Sequence, residues 1–319
     1  MTRRVRQRVV VALGGNAITR PDGSGSVEED LTNLRQSLGA VIPLLARGYQ
    51  VVLTHGNGPQ IGNMMVRNEL SVGRAPDLPL PLMVADVQGG LGYLMQTILH
   101  ELLAAAGQAT PVATVITLVA VDPADPALGR PDKFVGPVLS EETARRRRED
   151  DGWVVAEDRG RGWRRVVPSP RPLQVLEAPT IERLVGSGAV VICCGGGGVP
   201  VTRQDDGRLR GMSGVVDKDF ASAVLGRQIG AEYLFILTSV GRVQLGFSTA
   251  SARPLATLRL EDARRYLAAG EFPAGSMGPK VEAACQFLEE GGEGVLITSL
   301  EHLDEALAGY SGTWVVPGP

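Results

Sequence analysis

Lysine is scarce in this chain of 319 residues. Of 32 basic side chains only Lys133, Lys218 and Lys280 are lysines, leaving 29 arginines. Arginine is a planar fork and lysine a compact point charge, so the two are not interchangeable beside a phosphate. The three exceptions are therefore candidates for a specific task. Cysteine is equally sparse: Cys193, Cys194 and Cys285 cannot form a disulfide framework, and all three are expected reduced. Cys193 and Cys194, adjacent in an apparent strand, should point to opposite faces. The histidines His55, His100 and His302 are isolated and have no metal-ligand spacing. A net charge of -3 gives no basic footprint for nucleic acid. The run Arg145 to Arg148 is flanked by Glu141, Glu142, Glu149, Asp150 and Asp151, so it reads as a solvated helix face. No apolar run is long enough to span a membrane, and Met1 to Arg8 precedes no signal-like segment. The expected location is the cytoplasm.

What is present is an alternation of strands and helices. Arg8 to Leu13 reads as a strand ending at Gly14-Gly15-Asn16, followed by a helical pattern from about Glu28 to Ala46. A second strand, Gln50 to Thr54, ends at His55-Gly56-Asn57-Gly58 before another helix. Further expectations are a helix from Gln88 to Ala106, a strand from Pro111 to Val121 and a helix from Leu173 to Gly186. A strand from Ala189 to Cys194 ends at Gly195 to Gly198. After it come helix Asp217 to Ile229, strand Tyr233 to Thr238, a helix near Met277 to Glu290, and strands Gly294 to Thr298 and Thr313 to Val316 with a helix between them. This rhythm predicts an α/β fold of three αβα layers around a mainly parallel sheet. The Pro-, Gly- and Arg-rich tract from about 122 to 172 reads as a small lid-like excursion.

Three glycine clusters fall at the carboxyl ends of predicted strands, where an open parallel sheet binds its ligands. Backbone amides in such loops favour phosphate. The pattern is neither a P-loop nor a dinucleotide fingerprint. Asp217-Lys218-Asp219 begins a helix, where one aspartate should serve as the cap. A lysine at that positive helix end is disfavoured unless an anion joins it. Lys280, after Gly278-Pro279, also stands near a helix start.

These blocks resemble carbamate kinase of the amino acid kinase family, in order and along the whole chain. The carriers are Val11 to Ala17, Thr54 to Gln60, Gly162 to Pro170, Gly195 to Val201, Val216 to Asp219 and Gly275 to Ala284. The resemblance implies one amino acid kinase domain over 1–319, with a carbamate half at about 1–200 and a nucleotide half at about 201–319. It implies that Gly14, Gly15, Asn16, Gly56, Asn57, Gly196 and Gly197 hold carbamate and the transferred phosphoryl group. Lys218 and Lys280 would neutralise phosphate charge, oriented by Asp217 and Asp219, and Lys133 would reach in from the excursion. ADP or ATP would lie along Thr238, Ser239, Val240, Val243, Phe272, Ser276, Met277 and Gly278. Mg²⁺ would come with the nucleotide, held mainly by phosphates and by no side chain. The implied assembly is a homodimer.

The implied reaction is reversible transfer between ATP and carbamate, running towards ATP in arginine or carbamoyl phosphate catabolism. The rivals are a kinase of the same fold acting on another small acid, and a nucleotide-binding regulatory protein. One stretch departs from the family pattern, Gln244 to Pro254, which bears on adenine contacts and leaves the phosphate machinery untouched.

Overall fold

The computed structural model describes residues 7–19, 26–158, 160, 162–247, 251–273 and 275–318. The expected segment Met1 to Arg8 and the departing stretch Gln244 to Pro254 therefore fall partly outside the described residues. Arg8–Leu13 is a run of β-favouring valines, and its five apolar residues are fully buried. Val10 and Ala12 pack into one core, whereas Val9, Val11 and Leu13 pack into another. Successive strand residues face opposite ways, so the strand is covered on both faces and the layers are three. Burying each such side chain stabilises by about 1.5–3 kcal/mol relative to exposure.

The main sheet has eight strands. Their spatial order is Thr257–Arg259, Thr313–Val316, Gly294–Ser299, Tyr233–Thr238, Arg8–Leu13, Gln50–His55, Val190–Ile192 and Val112–Thr114. Pairings are parallel except between Gly294–Ser299 and Thr313–Val316. From the central strand Arg8–Leu13 the chain first builds outward on one side, then crosses to Tyr233–Thr238 on the other. That reversal opens a crevice above Leu13 and Thr238, where a ligand can enter.

Several expected elements change on folding. The helical pattern to Ala46 splits into Val27–Gly39 and Ile42–Ala46, with Pro43 opening the second piece. The helix expected from Gln88 begins eight residues earlier and runs Leu80–Ala105, because Pro81 occupies its first turn. The strand expected over Pro111 to Val121 becomes two, Val112–Thr114 and Leu118–Val121, in different sheets. The helix expected from Leu173 starts only at Ala178, since Pro172–Val175 is a strand pairing with Leu118–Val121. Thr257–Arg259 and helix Leu260–Ala268 were not read from the sequence at all.

Between about 122 and 172 the chain builds a three-stranded antiparallel sheet, ordered Lys133–Leu139, Gly162–Val167 and Val155–Asp158, with helix Glu141–Asp151. This subdomain sits on helix Gly58–Leu70. Gly136 has φ +74°, and a Cβ there would lie 2.9 Å from Met65 Sδ. Arg147 does not join the solvated face expected of its run. It pairs with Glu69 and Asp151 and lies over the Trp153 ring, with its side chain 16% exposed.

The break between the two strands at residues 115–117 is held by Gln88. Its amide accepts from the Thr117 backbone N–H at 3.0 Å and donates to the Thr117 carbonyl at 3.3 Å. Thr117 Oγ1 in turn accepts from the Cys194 amide at 2.9 Å. Cys194 has φ 49°, the only left-handed non-glycine among the described residues, and such backbone persists only where neighbours enforce it. The turn also undoes the expected alternation, for Cys193 and Cys194 pack into the same core. Replacing Gln88 by leucine leaves the buried Thr117 amide unpartnered. The expected loss is about 1–3 kcal/mol of unfolding free energy, measured by urea denaturation. An unchanged midpoint would contradict this role.

Candidate active site

Three glycine loops meet at the crevice. The Gly14 amide donates to Leu237 O at 3.1 Å, and a Cβ on Gly14 would sit 2.9 Å from that oxygen. A Cβ on Gly56 would come 3.1 Å from the Gly15 nitrogen. Gly196, at φ +63°, leaves no space for a Cβ against the Asn57 side-chain amide. Only glycine allows backbones this close, and the result is a floor of peptide groups. Helix Gly58–Leu70 begins beside that floor with Pro59 in its first turn and no capping side chain. Its N-terminus is thus open to an anion.

His55, buried at the end of its strand, donates from Nδ1 to Gly56 O at 2.9 Å. Burial lowers its pKa, the Gly56 bond opposes that, and the Lys218 charge lowers it further. The imidazole is neutral and serves to fix the loop. A Cβ on Gly195 would meet its ring at 2.6 Å.

The polar side of the site is organised by two aspartates. Asp217 caps helix Lys218–Gln228, its Oδ1 accepting from the Asp219 amide at 3.0 Å, as capping predicts. Its Oδ2 takes Lys133 Nζ at 3.1 Å. Asp219 is 2% exposed and bridges the other two lysines. Lys218 Nζ donates to its Oδ1 at 2.5 Å and Lys280 Nζ to its Oδ2 at 3.1 Å. Burial pushes the Asp219 carboxyl up, but the two ammonium groups outweigh this, so it titrates below the ordinary carboxylate range. Ser222 Oγ donates to Lys218 O at 2.6 Å and is itself bonded to Thr54 Oγ1 at 2.7 Å, which ties this helix turn to the strand Gln50–His55.

All three lysines line one cavity of about 330 Å³. With them stand Gly15, Gly56, Asn57, Gly196, Asp217 and Asp219. Arg164 also lines it and was given no role from sequence, although it sits inside the Gly162 to Pro170 block. Its guanidinium is held by Gly136 O at 3.1 Å and Asp158 at 3.1 Å. A groove of about 640 Å³ adjoins the cavity through Gly15, Lys218, Gly275, Ser276 and Lys280. It contains Gly14, Thr238 and Ser239, together with Asn33, Ser37 and Glu301, which sequence reading missed. Glu301 follows the carboxyl end of strand Gly294–Ser299, so the strand-end rule could have found it. A third pocket, of about 240 Å³, continues past Thr238, Ser239, Val240, Ser276 and Met277 to Arg242, Gln244 and Phe247.

Other expected residues lie behind the walls. Gly197 is buried, where a Cβ would collide with Val216 O. Gly278, Val243 and Phe272 are buried too, the last edge-on against Tyr266. Asn16 belongs to the turn Gly15–Ala17, and its side chain lies outside what is described.

Removing the bridging carboxylate isolates two adjacent cations. Asp219→Asn should cost about 3 kcal/mol at neutral pH. Because the Asp219 pKa is depressed on folding, its contribution is present above the ordinary carboxylate range and is lost as pH falls through the folded value. Urea titrations at a series of pH values should therefore show the two proteins converging in acid. A gap that stays constant down to the lowest pH would contradict the assignment.

Against known proteins, the amino acid kinase family model matches residues 7–299. A carbamate kinase of Pyrococcus furiosus is 45% identical over 315 residues, covering 98% of this chain and 99% of that protein. A carbamate kinase-like protein of Escherichia coli is 42% identical over 315 residues, with coverages of 98% and 99%. The solved carbamate kinase of Giardia lamblia bound to AMP-PNP superposes with a TM-score of 0.93 at 36% identity, covering 98% of this chain and 99% of its own. The match runs end to end at both levels, and the chain belongs to the carbamate kinases of the amino acid kinase family.

Proposed function

We propose that the enzyme transfers a phosphoryl group reversibly between ATP and carbamate, and that in the cell it runs towards ATP. The observation that carries the site assignment is the convergence of all three lysines of the chain on one small cavity floored by glycine backbone. A phosphoryl group in flight is chiefly a problem of charge and alignment. Lys218 and Lys280, held side by side through Asp219, supply paired positive charge where the cavity meets the nucleotide groove. The Gly15 amide and the uncapped N-terminus of helix Gly58–Leu70 face the oxygens of the transferred group, whereas the Gly14 and Gly56 amides are spent on Leu237 O and Leu13 O and hold the floor together. Carbamate lies at the end bounded by Asn57, Gly196 and Lys133, and Phe134 and Val135 limit the room beyond it. It is already anionic, so attack on the γ-phosphate needs no general base, and transfer is direct.

The nucleotide follows the groove, with its base in the pocket of Val240, Phe247, Pro273 and Met277. The Giardia relative was solved bound to AMP-PNP, which supports nucleotide binding by this fold. Among the described residues no group of three or more His, Cys, Asp or Glu side chains could cage a metal. Both aspartates of the cavity are engaged by lysines. This donor set fits a Mg²⁺ ion carried by the nucleotide phosphates, which keeps most of its water. When bound, it neutralises phosphate charge. We take the enzyme to work in the cytoplasm as a homodimer, as the family resemblance implies; none of the described helices is long and apolar enough to cross a membrane.

A coupled assay should detect ATP formed from ADP and carbamoyl phosphate. Lys218→Ala and Lys280→Ala should each lower turnover on the order of 100- to 1,000-fold. Lys133→Ala should lower turnover strongly while ADP affinity stays near that of the parent, since Lys133 lines the acceptor cavity and neither nucleotide pocket. Activity with another small acid and none with carbamoyl phosphate would overturn the proposal.

A further inference from the structure

Lys218 and Lys280 stand on different helices, and the inner link between these helices is Asp219. A second link lies on the outer side. Arg171 places its guanidinium 3.8 Å from the centroid of the Phe220 ring, two residues after Lys218. The same guanidinium donates to Glu282 at 2.7 Å, two residues after Lys280. One side chain therefore touches both lysine-bearing helices, at Phe220 in the first turn of one and at Glu282 in the second turn of the other.

The backbone around Arg171 is fixed as well. Its amide donates to Asp125 at 2.8 Å, at the base of the excursion. Three residues earlier, Pro168 O accepts from the Val215 amide at 3.0 Å, and a Cβ on Gly214 would lie 2.9 Å from that carbonyl. The segment leaving the Lys133 subdomain thus runs alongside the segment entering the Lys218 helix. Arginine suits this junction because its plane stacks on an aromatic face while its edge pairs with a carboxylate.

We infer that Arg171 is a positioning residue for phosphoryl transfer, setting the spacing of Lys218 and Lys280 from outside the cavity. It does not line the cavity or the nucleotide pockets and touches no reacting atom. An ion pair with both partners this exposed, 50% and 39%, adds little stability by itself. Its consequence is geometric: the two ammonium groups flank a single carboxylate, and a shift of either helix start moves one of them off the phosphates. The inference rests on the proposed role of Lys280.

The test compares the parent, Arg171→Met, Lys280→Ala and the double variant in the ATP-forming assay, with thermal midpoints recorded alongside. Arg171→Met should lower kcat roughly tenfold, the scale of coupling between residues in contact, with its midpoint close to the parent's. In the Lys280→Ala background the same change should alter kcat by less than about twofold, because Arg171 acts through that lysine. Glu282→Gln should reproduce the kcat loss, and it carries the test if Arg171→Met does not fold. Parental kcat in both Arg171→Met and Glu282→Gln overturns the inference, as does an equal loss in both lysine backgrounds, the mark of a purely structural role. Parental turnover in Lys280→Ala would instead overturn the functional reading on which it stands.

Discussion

The site depends on a buried carboxylate held between two ammonium groups. Asp219, 2% exposed, is stable as an anion only because Lys218 and Lys280 both face it. The lysines in turn sit close together, each in the first turn of its own helix where the dipole repels it, because Asp219 holds them. The trio carries a surplus of one positive charge, and Asp217 cancels Lys133 nearby. Such an arrangement is satisfied without a ligand and still presents ammonium groups to one. In the proposed reaction, phosphate oxygens entering the cavity would replace or share the carboxylate contacts without leaving a bare cation.

The glycine floor is the complementary constraint. Gly14 against Leu237, Gly56 against Gly15 and Gly196 against Asn57 allow three strand ends to meet where side chains would keep them apart. The left-handed Cys194 completes the floor, and it is enforced from behind by Thr117 and Gln88. The subdomain bearing Lys133 rests on the same helix, Gly58–Leu70, whose N-terminus borders the cavity. Floor, helix starts and overhanging sheet are thus one connected unit around a small volume.

Much of this was legible in the sequence, for local reasons. Valine-rich strands bounded by glycine declare themselves, and Tyr233–Thr238 and Thr313–Val316 fall where the apolar runs predict. The lysines stood out because arginine serves everywhere else. What was not legible is long-range. The run Pro111 to Val121 reads as one strand because periodicity cannot show that the chain changes sheets at Thr117. Pro172–Val175 was hidden in an apolar run that continues into a helix. Gly197 and Gly278 belong to motifs that border the cavity, and Val243 and Phe272 to segments that border the pocket beyond Thr238, but a motif or segment marks a neighbourhood and not which side chains face it. Lys133 was placed only within the excursion, and that it begins a strand there was not legible, because its pairing with Val167 is across 34 positions of sequence. The salt bridge from Lys133 to Asp217 spans still more of the chain and has no local signal.

The scarcity of lysine also provides the most direct measurement. Protein labelled with ¹⁵N at lysine Nζ contains three side-chain ammonium groups, and all three belong to the site described here. NMR spectra recorded before and after addition of Mg²⁺, ADP and carbamoyl phosphate report on each directly, with Lys→Arg variants assigning the signals. The account predicts that all three signals move, Lys218 and Lys280 already with Mg²⁺ and ADP, and Lys133 only when carbamoyl phosphate is added. Turnover proceeding while the Lys218 and Lys280 signals stay in place would contradict it.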